Sequence, residues 1–409
     1  MPMDDDLLRS RVEGCLRELC ETYPDRHLGG PGNRAATDLF ARVAAASGFE
    51  VESAELPCVE WARGPSELTC GGITWELLTG PYSLACDVTA PLVAISTIEE
   101  LERGDATGAV MLLHGDLVRE QLMPKGFVFF NPESHRRIVA ALEAQAPAAI
   151  VAATGRNPEL AGGPYPFPLI EDADFDIPNA YTTDVEGEAL RRLAGRTVSL
   201  RVDSARVPAF AAQPIARKPG SGEGRVVLFG HVDSKEGSPG ALDNATGVAA
   251  LLGCMGLLAG FSGSLSVEVV PLNGEDYYAA TGQMYYVAAN EGLWGDILLG
   301  MNVDGAGLTD SGTAVSFYGV PERRERVVVR AMRERGFGVG PQWPQSDHSL
   351  FVMNGVPAVA VISENVFFVS STVAHTERDT LRWVDPAVVA SVARFLADVV
   401  TGLNDEEER

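Results

Sequence analysis

The chain has 409 residues, with 32 Lys and Arg against 56 Asp and Glu, a formal net charge of −24. An acidic balance of this size excludes a phosphate-backbone partner, which needs a basic face, so no nucleic acid is expected. Hydrophobic residues make up 46%, enough for a large core; the length calls for more than one domain, since single cores stop growing at roughly 250–300 residues.

Residues 1–6 are acidic and lack the apolar run of a secretory leader. No stretch is read as approaching the roughly 18 apolar residues of a membrane span. The six cysteines (Cys15, Cys20, Cys58, Cys70, Cys86, Cys254) form no CxxC pair. These features lead to the expectation of a cytoplasmic protein with reduced thiols. Oligomeric state is not readable from the sequence.

In chain order, residues 5–20 carry Leu8, Val12, Cys15, Leu16 and Leu19 at helical spacing. A second helix is expected from Asn33, a good N-cap, to Gly48, a good C-cap, and 49–56 alternates like a strand. From about 57 to 205 the texture changes. Short strands are expected at 91–95, 109–113, 148–152 and 198–202, with one helix at 134–144. A long Gly- and Pro-rich loop separates Gly155 from Asn179. From 206 onward strands are expected at 225–230, 265–273, 297–303 and 357–362. They alternate with helices at 244–258, 325–335 and 386–403, the last with Asp385 as N-cap and Pro386 in its first turn. Near-continuous apolar strands alternating with helices predict an α/β fold. Its sheet is mixed, parallel at the centre and covered on both faces, giving three αβα layers.

Potential metal ligands recur just past the ends of these strands. His231-Val232-Asp233 follows the first, and Asp243-Asn244 opens the next helix. Glu275-Asp276 and Asp304-Gly305 follow the second and third, and His375 lies in Ala374-His375-Thr376. In open α/β sheets, sites form outside the carboxyl ends of strands, where distant loops converge. Taken singly, such residues read as a structural His, an N-cap Asp or a solvated acidic turn. Jointly, two histidines and three carboxylates suit two Zn²⁺-type ions, and Co²⁺ or Mn²⁺ fit the same donors. A further carboxylate can then act as general base in amide hydrolysis.

The run His231-Val232-Asp233-Ser234, followed by Pro239-Gly240-Ala241-Leu242-Asp243-Asn244-Ala245-Thr246-Gly247, resembles the signature of the M28 zinc peptidases. Asn302-Val303-Asp304, Ser346-Asp347-His348 and His375-Thr376…Asp379-Thr380 follow in that family's order. The resemblance covers about residues 206–403 and, more loosely, the helices before 56. It implies a catalytic domain formed by 1–56 and 206–409. His231 and Asp304 would bind one metal, Asp276 and His375 the other, and Asp243 would bridge them. Glu275 matches the general base, Asp233 would orient the His231 ring, and Asp379 would have a supporting part. Three successive residues cannot form a triad, so Ser346-Asp347-His348 is expected to shape the substrate cleft, with His348 exposed to it.

Residues 57–205 are similar to a protease-associated (PA) domain. Thr107-Gly108-Ala109-Val110-Met111-Leu112-Leu113 stands as its central strand, and Ile177-Pro178-Asn179-Ala180-Tyr181 as its closing one. Such an insert either covers the active-site mouth or serves packing or oligomerisation.

Three departures from the family pattern stand out. Asp276 replaces a Glu. Tyr277-Tyr278-Ala279-Ala280-Thr281-Gly282 stands in place of the family's Gly-Leu…Gly-Ser run, and the two tyrosines either shape the pocket or pack in the core. Trp343 replaces a tyrosine that donates to the oxyanion in some relatives. The resemblance implies a dinuclear zinc aminopeptidase acting on peptides or peptide-like small molecules. Behind it stand a specialised amidohydrolase, a glutaminyl-cyclase-like acyl transferase with one zinc, and a non-enzymatic binding module. Phe367 and Phe368 either line the side-chain pocket or belong to the core.

Overall fold

The N-terminal helix α1 (Asp5–Arg17) begins at Asp4, whose carboxylate caps the Leu7 N–H, and buries Leu8, Val12 and Leu16 along one stripe. A wider turn, Glu18–Thr22, continues it. Helix α2 (Pro31–Ala46) starts two residues before Asn33, because Pro31 takes its first turn behind Gly30. Asn33 is therefore not a cap. It is buried, and its amide exchanges two hydrogen bonds with Asn273, at 2.7 and 3.0 Å. Strand β1 (Glu50–Cys70) follows.

The computed structural model describes residues 3–408. The chain divides into two compact units, Met1–Cys58 with Phe210–Arg409, and Val59–Ala209. The second unit holds β2 (Ile73–Thr79), β3 (Cys86–Ile95), α3 (Ile98–Arg103), β4 (Val110–Leu113), α4 (Glu133–Gln145), β5 (Ala149–Thr154), β6 (Asn179–Thr183) and α5 (Asp184–Arg191). It ends on the first half of β7 (Thr197–Lys218). Strands β3, β4, β5 and β6 run parallel. The hairpin of β1 and β2 joins β6 antiparallel, and β7 joins β3 antiparallel. Every residue of β4 and β5 is buried, as expected of strands covered on both faces. The hairpin was missed; Glu67, Thr74 and Glu76 are exposed on one of its faces, while Leu68, Cys70 and Leu77 are buried on the other.

The first unit continues with β8 (Arg225–His231), α6 (Thr246–Leu257), β9 (Ser266–Leu272), α7 (Thr281–Ala289), β10 (Ile297–Val303), β11 (Thr313–Tyr318) and α8 (Glu322–Arg335). After these come β12 (Gly338–Val339), α9 (His348–Met353), β13 (Ala358–Ser363), α10 (Val366–Thr372) and α11 (Pro386–Glu407). Its sheet has the order β7-β9-β8-β10-β13-β11-β12. Strands β9, β8, β10 and β13 are parallel, while β7 and β11 pair antiparallel with their neighbours. This is the expected mixed sheet with a parallel centre.

Alternation along β8 sends side chains to two helical layers. Val226 and Leu228 join α1, α2, α6, α8 and α11 in one core. Phe229 faces the other way and stacks on Phe351 of α9 at 4.0 Å, with Tyr286 of α7 and Trp294 alongside. Strand β11 was missed; its apolar run is interrupted by the buried Ser316. Among the described residues one helix, α11, is long and apolar enough to cross a membrane, contrary to the sequence reading. Of its apolar window, 61% is buried within the fold.

Candidate metal centre

The parallel strands end side by side, and the candidate ligands sit at those ends. His231 is the last residue of β8 and lies in register with Leu272 of β9. Asp304 follows the last residue of β10. Asp243 lies in the turn Ala241–Ala245 that leads into α6. Gly230 and Gly247 permit this convergence, because a Cβ on either would fall 2.5 Å from the Val303 carbonyl oxygen. Asn244 fixes the same approach, donating to that carbonyl at 2.8 Å and accepting the Gly247 N–H at 2.9 Å.

Asp243 occupies the middle of the cluster. Its Oδ1 lies 3.0 Å from His231 Nε2, and its Oδ2 lies 3.2 Å from His375 Nε2. Asp304 Oδ1 stands 3.7 Å from His231 Nε2, and Asp276 Oδ1 stands 3.1 Å from His375 Nε2. The five side chains thus divide into two lobes that share one carboxylate. His231 Nε2 and Asp276 Oδ2 are buried without a hydrogen-bond partner, a costly condition for polar atoms that a cation relieves. One donor atom from each of His231, Asp243 and Asp276 falls within 4.8 Å of the others. Oxygen and imidazole donors in this arrangement fit Zn²⁺.

Electrostatics agree with a site built around positive charge. Burial opposes a charged imidazole at His231 and His375, yet the surrounding carboxylates raise both pKa values well above the usual histidine value. Burial works against the Asp243 carboxylate too, and the two imidazoles bring its pKa down. Glu275 is pushed well up, first by its enclosed position and then by Asp276, Asp347 and Asp304, with His231 opposing.

Surrounding residues hold the ligands. The Asp233 carboxylate accepts the N–H groups of Gly274, Glu275 and Asp276, at 2.8, 3.2 and 3.0 Å. What lies 3.2 Å from His231 Nδ1 is the Asp233 carbonyl; its carboxylate is at 3.7 Å, so Asp233 chiefly sets the loop bearing Glu275. Asp379 accepts the N–H of Leu242 and of Asp243, at 2.9 and 3.0 Å. Burial pushes the Asp379 carboxyl up to about 6, with the charge of Asp243 adding to the shift.

Ser346, Asp347 and His348 each meet different partners. Ser346 Oγ donates to Asp304 Oδ2 at 2.6 Å and accepts from Asn302 at 2.8 Å. Asp347 is fully buried on Gln283, and burial raises its carboxyl to about 7. His348 is also buried, contrary to expectation. Its Nε2 is 2.9 Å from the Trp343 carbonyl, and its ring lies 4.4 Å from that of Tyr318. Trp343 is pinned by its backbone to the Tyr318 hydroxyl. Tyr277 is buried, its ring 4.5 Å from that of the partly exposed Tyr278. Phe367 and Phe368 are exposed on α10, so neither belongs to the core.

Arg26 gave no signal in the sequence. Its buried guanidinium donates to the carbonyls of Leu19, Val232, Pro239 and Gly240, at 2.7–3.0 Å. It thereby ties the loop between His231 and Asp243 to the N-terminal segment.

Residues 215–400 match the model of peptidase family M28. The chain is 25% identical over 428 residues to probable leucine aminopeptidase 2 of Aspergillus fumigatus, covering 98% of this chain and 80% of that protein. It is 28% identical over 238 residues to probable lipoprotein aminopeptidase LpqL of Mycobacterium tuberculosis, covering 56% of this chain and 44% of that one. The aminopeptidase from Aneurinibacillus sp. strain AM-1 shares the fold with a TM-score of 0.73 at 21% identity, over 98% of this chain and 93% of that chain. BSAP, a zinc aminopeptidase from Bacillus subtilis, does so at 0.74 and 17% identity, over 96% and 94%. The family match and the likeness to aminopeptidases mark a hydrolase of peptide bonds, and its residues His231, Asp243 and Asp276 could hold a metal ion.

Proposed function

We propose that the protein is a dinuclear zinc aminopeptidase. His231 and Asp304 would hold one ion, Asp276 and His375 the other, and Asp243 would serve both. The observation that carries this reading is the position of Asp243, with one carboxylate oxygen on each imidazole. When bound, two Zn²⁺ ions supply Lewis acidity toward a carbonyl and lower the pKa of a water. Glu275 removes a proton from the attacking water as its oxygen bonds to the scissile carbonyl carbon. Glu275 then returns that proton to the amine as the carbon–nitrogen bond breaks. Asp233 keeps Glu275 in reach by holding its main-chain N–H. Asp379 holds the main chain at Asp243 by accepting its N–H, and Ser346 donates to the Asp304 carboxylate.

The unit Val59–Ala209 is read as a PA-like module. The parallel run from β3 to β6, closed by β6 and α5, supports that reading.

Zinc-loaded protein assayed on Leu-Gly-Gly and on N-acetyl-Leu-Gly-Gly separates the readings. Release of free leucine from the first alone is expected. Equal cleavage of the acetylated peptide would replace the aminopeptidase with a general amidohydrolase.

A further inference from the structure

The chain carries a net charge of −24, yet helix α8 is basic, with six arginines against three glutamates. Val327, Val328, Ala331 and Met332 form its buried side. Two of the arginines have structural work at the edges of that side. Arg324 donates to the Leu298 carbonyl at 2.7 Å, and Arg335 pairs with Asp398 of α11. The other four, Arg323, Arg326, Arg330 and Arg333, are exposed. Their spacing of three, four and three residues lines them along one outward face, about 15 Å from end to end.

Like charges at these spacings destabilise a helix, and the fold answers them incompletely. Arg326 pairs with Glu322 of its own helix, an exposed contact of little strength. Arg330 and Arg333 have no ion-pair partner among the described residues. Gly402 of α11 leaves room for the Arg330 guanidinium, since a Cβ there would fall 2.9 Å from its Nη2. Arg323 shows what this face accepts. Its Nε lies 3.0 Å from Glu406 Oε2, within the acidic run Asp405-Glu406-Glu407-Glu408.

We propose that the arginine face of α8 is a docking surface for an acidic segment of a partner protein. Charge complementarity decides the occupant. Guanidinium groups take carboxylates through paired hydrogen bonds, and one short stretch of acids meets Arg326, Arg330 and Arg333 together. A nucleic acid or an anionic membrane extends far beyond about 15 Å and sets its charge against the rest of an acidic chain. A short acidic segment escapes that repulsion, because exposed charges more than about 8–10 Å apart are screened. Such docking is independent of the peptidase reading.

Fluorescence anisotropy of N-terminally fluorescein-labelled hexaglutamate, titrated with the zinc-loaded protein at low salt, tests this. Binding is expected, and it should weaken steeply as salt rises to about 0.3 M. The double variant Arg330→Gln, Arg333→Gln, still folded by circular dichroism, is expected to bind about tenfold more weakly or worse. Lysine at both positions keeps the charge and should retain most of the affinity. Arg201→Gln, which removes an exposed arginine of the other unit, should bind as the wild type does. Absence of binding by the wild type, or equal binding by the glutamine double variant, would overturn the proposal. Tighter binding of labelled hexathymidylate, or of phosphatidylserine vesicles, than of hexaglutamate would overturn it too.

Discussion

The Asp379 carboxylate accepts the main-chain N–H of Asp243 at 3.0 Å, and so fixes the residue that stands between the two imidazoles. Its other oxygen takes the N–H of Leu242 at 2.9 Å. Asp379→Ala removes both acceptors and frees the turn that presents Asp243. Zinc affinity, read by competition with a chromogenic chelator, is expected to fall about 10–100-fold while the protein stays folded. Unchanged affinity would mean that the turn holds itself.

Glu275 lies on the same loop as Asp276 but has a different part. Glu275→Gln keeps size and polarity and removes the base. The expected result is a loss of about 10²–10⁴ in kcat with zinc content unchanged, measured by turnover and by elemental analysis of one preparation. A rate within twofold of wild type would take Glu275 out of the proton transfer.

Arg26→Met leaves the carbonyls of Val232, Pro239 and Gly240 without their buried donor. Each orphaned group costs about 1–3 kcal/mol, so the folded state is expected to lose about 3 kcal/mol in urea denaturation. Arg26→Lys should recover only part, because one ammonium cannot span carbonyls that a planar fork reaches together. Equal stability of all three proteins would contradict this account.

Glu268 on β9 is buried and serves three partners. Arg217 Nε is at 2.7 Å, Arg225 at 3.4 Å and the Tyr286 hydroxyl at 2.5 Å. Glu268→Ala strips the charge partner from a largely buried Arg225. The expected cost is about 3 kcal/mol, discounted from the full range because Arg217 is partly exposed. Thermal melting of the zinc-free protein reads it. A change within about 0.5 kcal/mol, as for an ordinary surface substitution, would refute it.

The sequence revealed the centre of this molecule better than its edges, for physical reasons. Strands β8, β9, β10 and β13 are covered on both faces and stand out as apolar runs between helices, and their ends carry His231, Glu275, Asp276 and Asp304. The β1–β2 hairpin and β11 gave no such contrast, since the hairpin strands are half polar and Thr313 and Ser316 interrupt the apolar run of β11. Asn33 misled because a good N-capping residue served instead as a buried partner of Asn273. His348 misled because its motif neighbours lie near Asp304, whereas its own ring turns toward Tyr318 and Trp343. Arg26 acts through carbonyls of Val232, Pro239 and Gly240 and Ser346 through Asp304 and Asn302, contacts across long separations that neither periodicity nor local spacing encodes.

The central claim is that two imidazoles and three carboxylates hold a catalytic pair of cations. Its most direct measurement is Leu-p-nitroanilide turnover in chelator-stripped protein during titration with Zn²⁺. The account predicts no turnover without metal and recovery that is complete at two ions per chain. Turnover that persists in verified metal-free protein, or that saturates at one ion, would contradict it.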